Sequence, residues 1–238
     1  MAKPHGVHEA IVVEASPLVE DNQWLLNLAT DNPSILGVVG NLPVGDLEFR
    51  GNLELFSKNP LFRGIRIRAK ELKNLTAAYA EDLRHLADQG LCLDVLGGPD
   101  MLPDIVELAE TVPSLCIVIN HLPFDSPTNS SIRDASERAL EDLATWPNVF
   151  AKVSNVVRKV ATESQNAETY RARLNHLWKT FGPNRLMYGS NWPVSERVAS
   201  YSTVIGILKE YHADKPAEHA EKFFWRNSRV AYDWKERS

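Results

Sequence analysis

"LCIVIN", residues 115–120, is a solid apolar run that ends directly at His121, Leu122 and Pro123. Its length suits a strand, and its lack of polar alternation means that both faces are covered, as in a parallel sheet with helices packed against it. Runs of the same kind recur on both sides: "EAIVVEA" (9–15), "ILGVVGNL" (35–42), "RGIRIR" (63–68), "LCLDVL" (91–96), "VFAKVS" (149–154) and "LMYGS" (186–190). Helical spacing fills the intervals. Leu75, Tyr79, Leu83 and Leu86 run up to Gly90, and Ile105, Leu108, Ala109 and Val112 share a face. Tyr170, Leu174, Leu177, Trp178 and Phe181 close on Gly182 and Pro183, and Tyr201, Val204, Ile205 and Leu208 form another face. Shorter helices fit 22–30, 46–58 and 136–146, one last helix fits 216–234, and 122–135 and 156–167 read as longer loops. The result is seven strand–helix units in a single domain over 1–238. A (β/α)8 barrel has eight such units. A doubly wound sheet would carry a glycine-rich nucleotide fingerprint after its first strand, and none is present. "VLGGPD" (95–100) lacks the lysine and spacing of a phosphate loop and reads as a tight turn. The pattern predicts an α/β barrel of the TIM type with one unit missing.

The bulk numbers agree with one globular domain. The chain has 238 residues, 44% hydrophobic, with a formal net charge of −5 and no basic stripe, which argues against nucleic acid as a partner. Its apolar runs fall far short of the roughly 20 residues that span a bilayer, so no membrane partner is expected. "MAKPHGVHEA" lacks the apolar segment of a signal peptide, which predicts a cytoplasmic protein. Cys92 and Cys116 lie in separate apolar runs and are expected as two buried thiols in a reducing compartment, not as a disulfide framework or metal cluster.

The polar residues at strand ends carry the chemistry. In "GIRIR", Ile65 and Ile67 share one face and Arg66 and Arg68 the other. With the isoleucines against the helices, both guanidiniums point to the barrel axis. They either hold an anion in a two-bond fork or pair internally with an acid such as Asp94 or Glu14. His121 follows its strand at the end where barrel chemistry gathers. Lys152 sits inside an apolar run, where catalytic use and simple pairing both fit. His85, His176, His212 and His219 fall on helices and are expected at solvent-facing or edge positions, and His5 and His8 precede the first strand.

The segments "GVHEAIVVEAS", "DNQWLLNLA", "ILGVVGNL", "FRGIRIR", "IVINHLPF", "NVFAKVSNV" and "GPNRLMYGSNWPV", in this order, resemble the amidohydrolase-related family of TIM-barrel hydrolases, in its lactonase branch. The resemblance runs over nearly the whole chain and is most specific at "NHLP" and "YGSNWPV". It implies that His121 contacts metal or the substrate carbonyl, and that Asn191 stands where many members carry the aspartate that activates water. It places Arg66 near the substrate pocket, Glu14 at the mouth and, less specifically, Lys152; with Arg68 and Trp192 these are the expected substrate-binding residues. Two features depart from the family. No His-x-His occurs anywhere in the chain, so its first strand corresponds to the family's second, and "HGVH" (5–8) has the wrong spacing. Asparagine at 191 donates and accepts hydrogen bonds but takes up no proton near neutral pH. Zinc is the family's metal, yet of the expected ligands only His121 remains, so no metal or other cofactor is expected in this chain.

Three functions fit these residues. The first is a hydrolase that opens a sugar-derived or carboxylated lactone, a small-molecule substrate. The second is a catalytically inactive barrel fragment or binding module, which would explain both departures by truncation. The third is a decarboxylase of the same superfamily. The missing unit also predicts unpaired edges on 9–15 and 186–190, and through them self-association.

Overall fold

The computed structural model describes residues 1–158 and 165–237. Seven strands form one sheet in sequence order: β1 (Ala10–Val13), β2 (Ile35–Gly40), β3 (Phe62–Arg68), β4 (Cys92–Leu96), β5 (Cys116–Leu122), β6 (Val149–Val153) and β7 (Leu186–Tyr188). Every neighbouring pair is parallel, from Ile11 opposite Gly37 to Lys152 opposite Met187. Each strand is followed by helix: α1 (Asp21–Asp31), α2 (Phe49–Ser57), α3 (Ala77–Asp88), α4 (Leu102–Thr111), α5 (Ser130–Leu143), α6 (Ala167–Phe181) and α7 (Tyr201–His212). The sheet curls into the open seven-unit barrel that the alternation predicts. Among the described residues β1 and β7 each have a single strand neighbour, so the barrel is open on one side.

Two apolar layers result from the strand period of two. Residues such as Ile65, Ile67, Ile117 and Ile119 pack outward against Leu83, Ile105, Leu108 and Leu143 of the helices. The inner layer is smaller: Leu36, Val39, Cys92, Val118, Phe150 and Met187 close around Ala231, Tyr232 and Trp234. The chain's own C-terminal segment therefore fills the barrel interior. Arg237 ties that segment down by donating from Nη1 to the Ile35 carbonyl at 2.8 Å. Asn227 donates from Nδ2 to the carbonyls of Pro183 and Leu186, at 2.8 and 2.7 Å, beside β7. A cleft of about 490 Å³ lies alongside β1, lined among others by His5, Val7, Ile205, Lys209, Trp225 and Trp234.

Several expectations need correction. Cys92 and Cys116 are not separate thiols. They are register partners on β4 and β5, their Cα atoms are 4.8 Å apart, and they are joined as a disulfide. Runs that are distant in sequence become adjacent once parallel strands pair in register. The loop expected over 122–135 is shorter, because α5 begins at Ser130, where the Asn129 side chain caps it by accepting from the N–H of Ser131 at 2.9 Å. The loop expected over 156–167 ends at Ala167, where α6 starts behind an Asn166 cap. Within it, residues 159–164 lie outside the described residues. The single helix expected over 216–234 is α8 (Ala217–Glu221), a π-helical turn (Lys222–Arg226) and α9 (Asn227–Tyr232). Asp233 then takes a left-handed conformation, with φ of 44°, and frees Trp234 to enter the interior. Among the described residues, no helix is long and apolar enough to cross a membrane.

Candidate active site

The C-terminal ends of the strands bring charged residues to the axis. With Ile65 and Ile67 buried outward, Arg66 points in and donates from Nε to Glu14 Oε1 at 2.8 Å. Its Nη2 donates to the Glu14 backbone carbonyl as well. Of the alternatives open for the arginine, an internal ion pair with Glu14 is the one formed. Asp94 stands next to Arg66 in register but pairs elsewhere: Lys152 donates from Nζ to Asp94 Oδ2 at 2.6 Å. The other oxygen, Oδ1, accepts from the Tyr232 hydroxyl at 2.8 Å. Complete burial, then the charge of Asp94, raise the tyrosine's pKa well above its usual value, so it remains a donor. Arg68 shares the inward face nearer the mouth, and its guanidinium forms no ion pair among the described residues. Its backbone N–H donates to Glu71 Oε1 at 2.9 Å.

Three successive strand ends share one backbone device. His121 near the end of β5, Asn155 after β6 and Asn191 after β7 have φ of 64°, 53° and 53°. Left-handed backbone is uncommon outside glycine, with asparagine and histidine among the residues that adopt it most readily. At His121 it changes the outcome. Asn120 points inward, so plain alternation would turn His121 toward the helices. The left-handed turn brings its ring back to the mouth, where Nδ1 lies 2.7 Å from Ser154 Oγ. Arg158 holds the turn from behind by donating to the His121 carbonyl, and at 3.0 Å to that of Pro123. Burial first, then the charges of Lys152, Arg66 and Arg158, push the imidazole pKa down to about 4, with Asp94 opposing. The ring is therefore neutral at physiological pH, and the cations that act on it belong to the same site. The Asn191 carbonyl accepts from the Ser195 N–H at 2.9 Å, and Trp192, 51% exposed, follows it on the same loop.

Sequence reasoning missed part of this assembly. Asp94 entered only as an optional partner, and Tyr232, Ser154, Arg158 and Asn120 did not enter as site residues. Inward alternation on β4, β5 and β6 could have identified Asp94, Asn120 and Ser154, whereas nothing in the helical pattern of 216–234 singles out Tyr232. His212 needs correction too: it is buried, with Nδ1 donating to the Leu208 carbonyl at 2.8 Å and its ring stacked 4.3 Å from that of Phe223. Burial, the largest cause, lowers its pKa to about 4. His121 and His212 therefore resist protonation in the folded state, while the unfolded chain takes up protons near pH 6.5. Stability should be full above that value and decline as the pH falls from about 6.5 toward 4. Thermal melts across this window should show a falling Tm, less steep in His212→Phe. A flat profile in both proteins would contradict the assigned burial.

The family model described as Amidohydrolase matches residues 2–234. An L-fucono-1,5-lactonase of Burkholderia ambifaria is 30% identical over 200 residues, covering 80% of this chain and 66% of that relative. The chain thus spans just under two thirds of that relative's length. A crystal structure of an amidohydrolase from Burkholderia multivorans with bound zinc superposes with a TM-score of 0.88 at 22% identity, over 98% of this chain and 86% of that one. A probable 2-pyrone-4,6-dicarboxylic acid hydrolase from Acinetobacter baumannii, with citric acid bound, gives 0.81 at 20% identity over the same shares. At such identities the two structures speak for the fold alone. Zinc in one of them raises the question of fit. A catalytic zinc takes three protein ligands from His, Asp, Glu or Cys. No group of three or more such side chains that could hold a metal ion occurs among the described residues. His121 is ringed by the cations Lys152, Arg66 and Arg158, while Glu14 and Asp94 are taken up by Arg66 and Lys152. The donor set does not fit a zinc centre.

Proposed function

The chain belongs to the amidohydrolase family, and from that premise we propose that it is a lactone hydrolase acting on a neutral, hydroxylated sugar lactone. The observation that carries the choice of substrate is the charge balance. The two cations deepest in the barrel are each matched to a carboxylate, Arg66 to Glu14 and Lys152 to Asp94. Two uncharged hydrogen-bonding demands remain beside these pairs. Glu14 Oε2, an acceptor, and Asn120 Nδ2, a donor, are buried without a hydrogen-bond partner among the described residues. Such groups cost roughly 1–3 kcal/mol each when unmet. A ring hydroxyl, which both donates and accepts, suits either of them. A substrate carboxylate would instead bring a further negative charge near Glu14 and Asp94, with Arg68 nearer the mouth and Arg158 behind His121 to receive it. The lactonase relative from Burkholderia ambifaria supports the same reaction class.

The chemistry needs one group that moves a proton, and His121 is suited to it. In the tautomer that donates Nδ1–H to Ser154 Oγ, Nε2 carries the lone pair that accepts a proton from the attacking water. Water bonds to the carbonyl carbon, the intermediate collapses, and the ring C–O bond breaks. The imidazolium returns its proton to the departing ring oxygen, leaving a hydroxy acid. Asn191 orients the water or a substrate hydroxyl through its amide and carries no proton. Trp192 and Arg68 line the approach.

A pH-indicator assay on D-glucono-1,5-lactone, other neutral aldonolactones and 2-pyrone-4,6-dicarboxylate tests the proposal. Turnover of at least one aldonolactone should exceed that of the dicarboxylate, and pretreatment with a chelator should leave the rate unchanged. Preference for the dicarboxylate would refute the substrate class, and loss of activity with the chelator would refute the assigned donor set.

A further inference from the structure

Resting on the lactone-hydrolase reading, we propose that the Lys152 ammonium stabilises the oxyanion formed on the lactone carbonyl, and that Tyr232 and Asp94 are positioning residues that hold it in place. The three side chains come from β6, the end of α9 and β4, far apart in sequence. Lysine has three N–H donors. One goes to Asp94 Oδ2 at 2.6 Å, and no other acceptor for this ammonium is found among the described residues. The Tyr232 ring lies beneath it, with Nζ 5.4 Å from the ring centroid, a second grip of the cation–π kind. The Tyr232 hydroxyl fixes the other oxygen of Asp94, so the carboxylate cannot turn away from the lysine. The lysine stem is guided as well. A Cβ at residue 189 would lie 3.0 Å from Lys152 Cγ and 3.1 Å from Cδ, which accounts for Gly189 beside it.

Simple neutralisation of Asp94 is a weak explanation. Asp94 is fully buried and Lys152 nearly so, and a buried ion pair stabilises a fold no better than apolar residues of the same size. The inward positions two residues before them, Cys92 and Phe150, are apolar. An ammonium with unspent donors, held rigidly in a dry site, is what developing negative charge requires. Its charge is also the foremost of those acting on His121, so the cation and the proton carrier share one space. In the step, water oxygen bonds to the carbonyl carbon and the carbonyl π pair moves onto its oxygen, beside Lys152. The pair returns as the ring C–O bond breaks. Lys152 keeps its proton throughout.

The test uses the full chain with D-glucono-1,5-lactone. Lys152→Met should lower kcat by roughly 10²–10³-fold, the usual loss for an oxyanion donor. Tyr232→Phe keeps the ring and removes the hydroxyl; it should lower kcat about tenfold, one bond's worth of stabilisation, with KM little changed. Lys152→Cys alkylated with 2-bromoethylamine, which rebuilds the ammonium, should regain part of the lost rate even if Lys152→Met folds poorly. Unchanged kcat in Lys152→Met, or a change confined to KM in Tyr232→Phe, would overturn the proposal. A second readout needs no turnover: the ¹⁵Nζ resonance of Lys152 should move in Tyr232→Phe and on addition of gluconate to the wild type. If the wild type opens no lactone, the hydrolase reading and the oxyanion role fail together. An unmoved Lys152 resonance in Tyr232→Phe would overturn the positioning role separately.

Discussion

Arg66→Met should destabilise the protein by about 3–5 kcal/mol, because it leaves Glu14 as a buried carboxylate with no counter-charge. Glu14 is 3% exposed, and it accepts from Arg66 through both its side chain and its backbone carbonyl. The pair also spans from β1 to β3 across β2, and β1 has only four residues and one strand neighbour. Its loss should loosen the edge strand before the rest of the barrel. Urea denaturation measures the loss, and hydrogen exchange at Ile11 to Val13 should quicken first. The double variant Arg66→Met, Glu14→Gln should recover much of the stability, since the stranded charge is gone. A loss below about 1 kcal/mol in the single variant, the level of an exposed pair, would mean that the pair is solvated and not interior.

His121→Gln should reduce kcat by roughly 10²–10⁴-fold, the usual share of a positioned proton carrier. Glutamine can keep a hydrogen bond to Ser154 but cannot carry the proton, so folding should be preserved while turnover is lost. The wild-type rate should also stay level between about pH 5.5 and 8. A free histidine would lose its neutral form near 6.5, whereas the pKa of His121 is pushed down to about 4. A steep fall in wild-type rate through pH 6.5, or a His121→Gln variant with near-normal kcat, would remove the histidine from the mechanism.

The order and direction of the strands were legible because apolar runs such as "LCIVIN" and "VFAKVS" admit few other readings once helices separate them. The partners of the charges were not. Glu14 and Asp94 were both acids within reach of Arg66, and the choice depends on how the sheet curls: the guanidinium reaches across to β1, which releases Asp94 to Lys152. The facing of His121 was legible only by assuming that the strand ends in plain alternation or breaks it. The break is a left-handed residue, and sequence marks such positions weakly when the residue is not glycine. Cys92 and Cys116 were read as independent because they lie in separate apolar runs, and parallel register brings those runs side by side. Tyr232 was hidden for a different reason. A helical pattern includes it but gives no sign that the end of α9 packs into the barrel interior and sets the Tyr232 hydroxyl on Asp94.

The most direct test of the account is a crystal structure with a bound aldonolactam, the unreactive analogue of an aldonolactone. Its carbonyl oxygen should lie within hydrogen-bond distance of Lys152 Nζ, with His121 Nε2 facing the carbonyl carbon and ring hydroxyls on Glu14 Oε2 or Asn120 Nδ2. A lactam seated elsewhere, for instance in the cleft beside β1, with the strand ends untouched, would contradict the account.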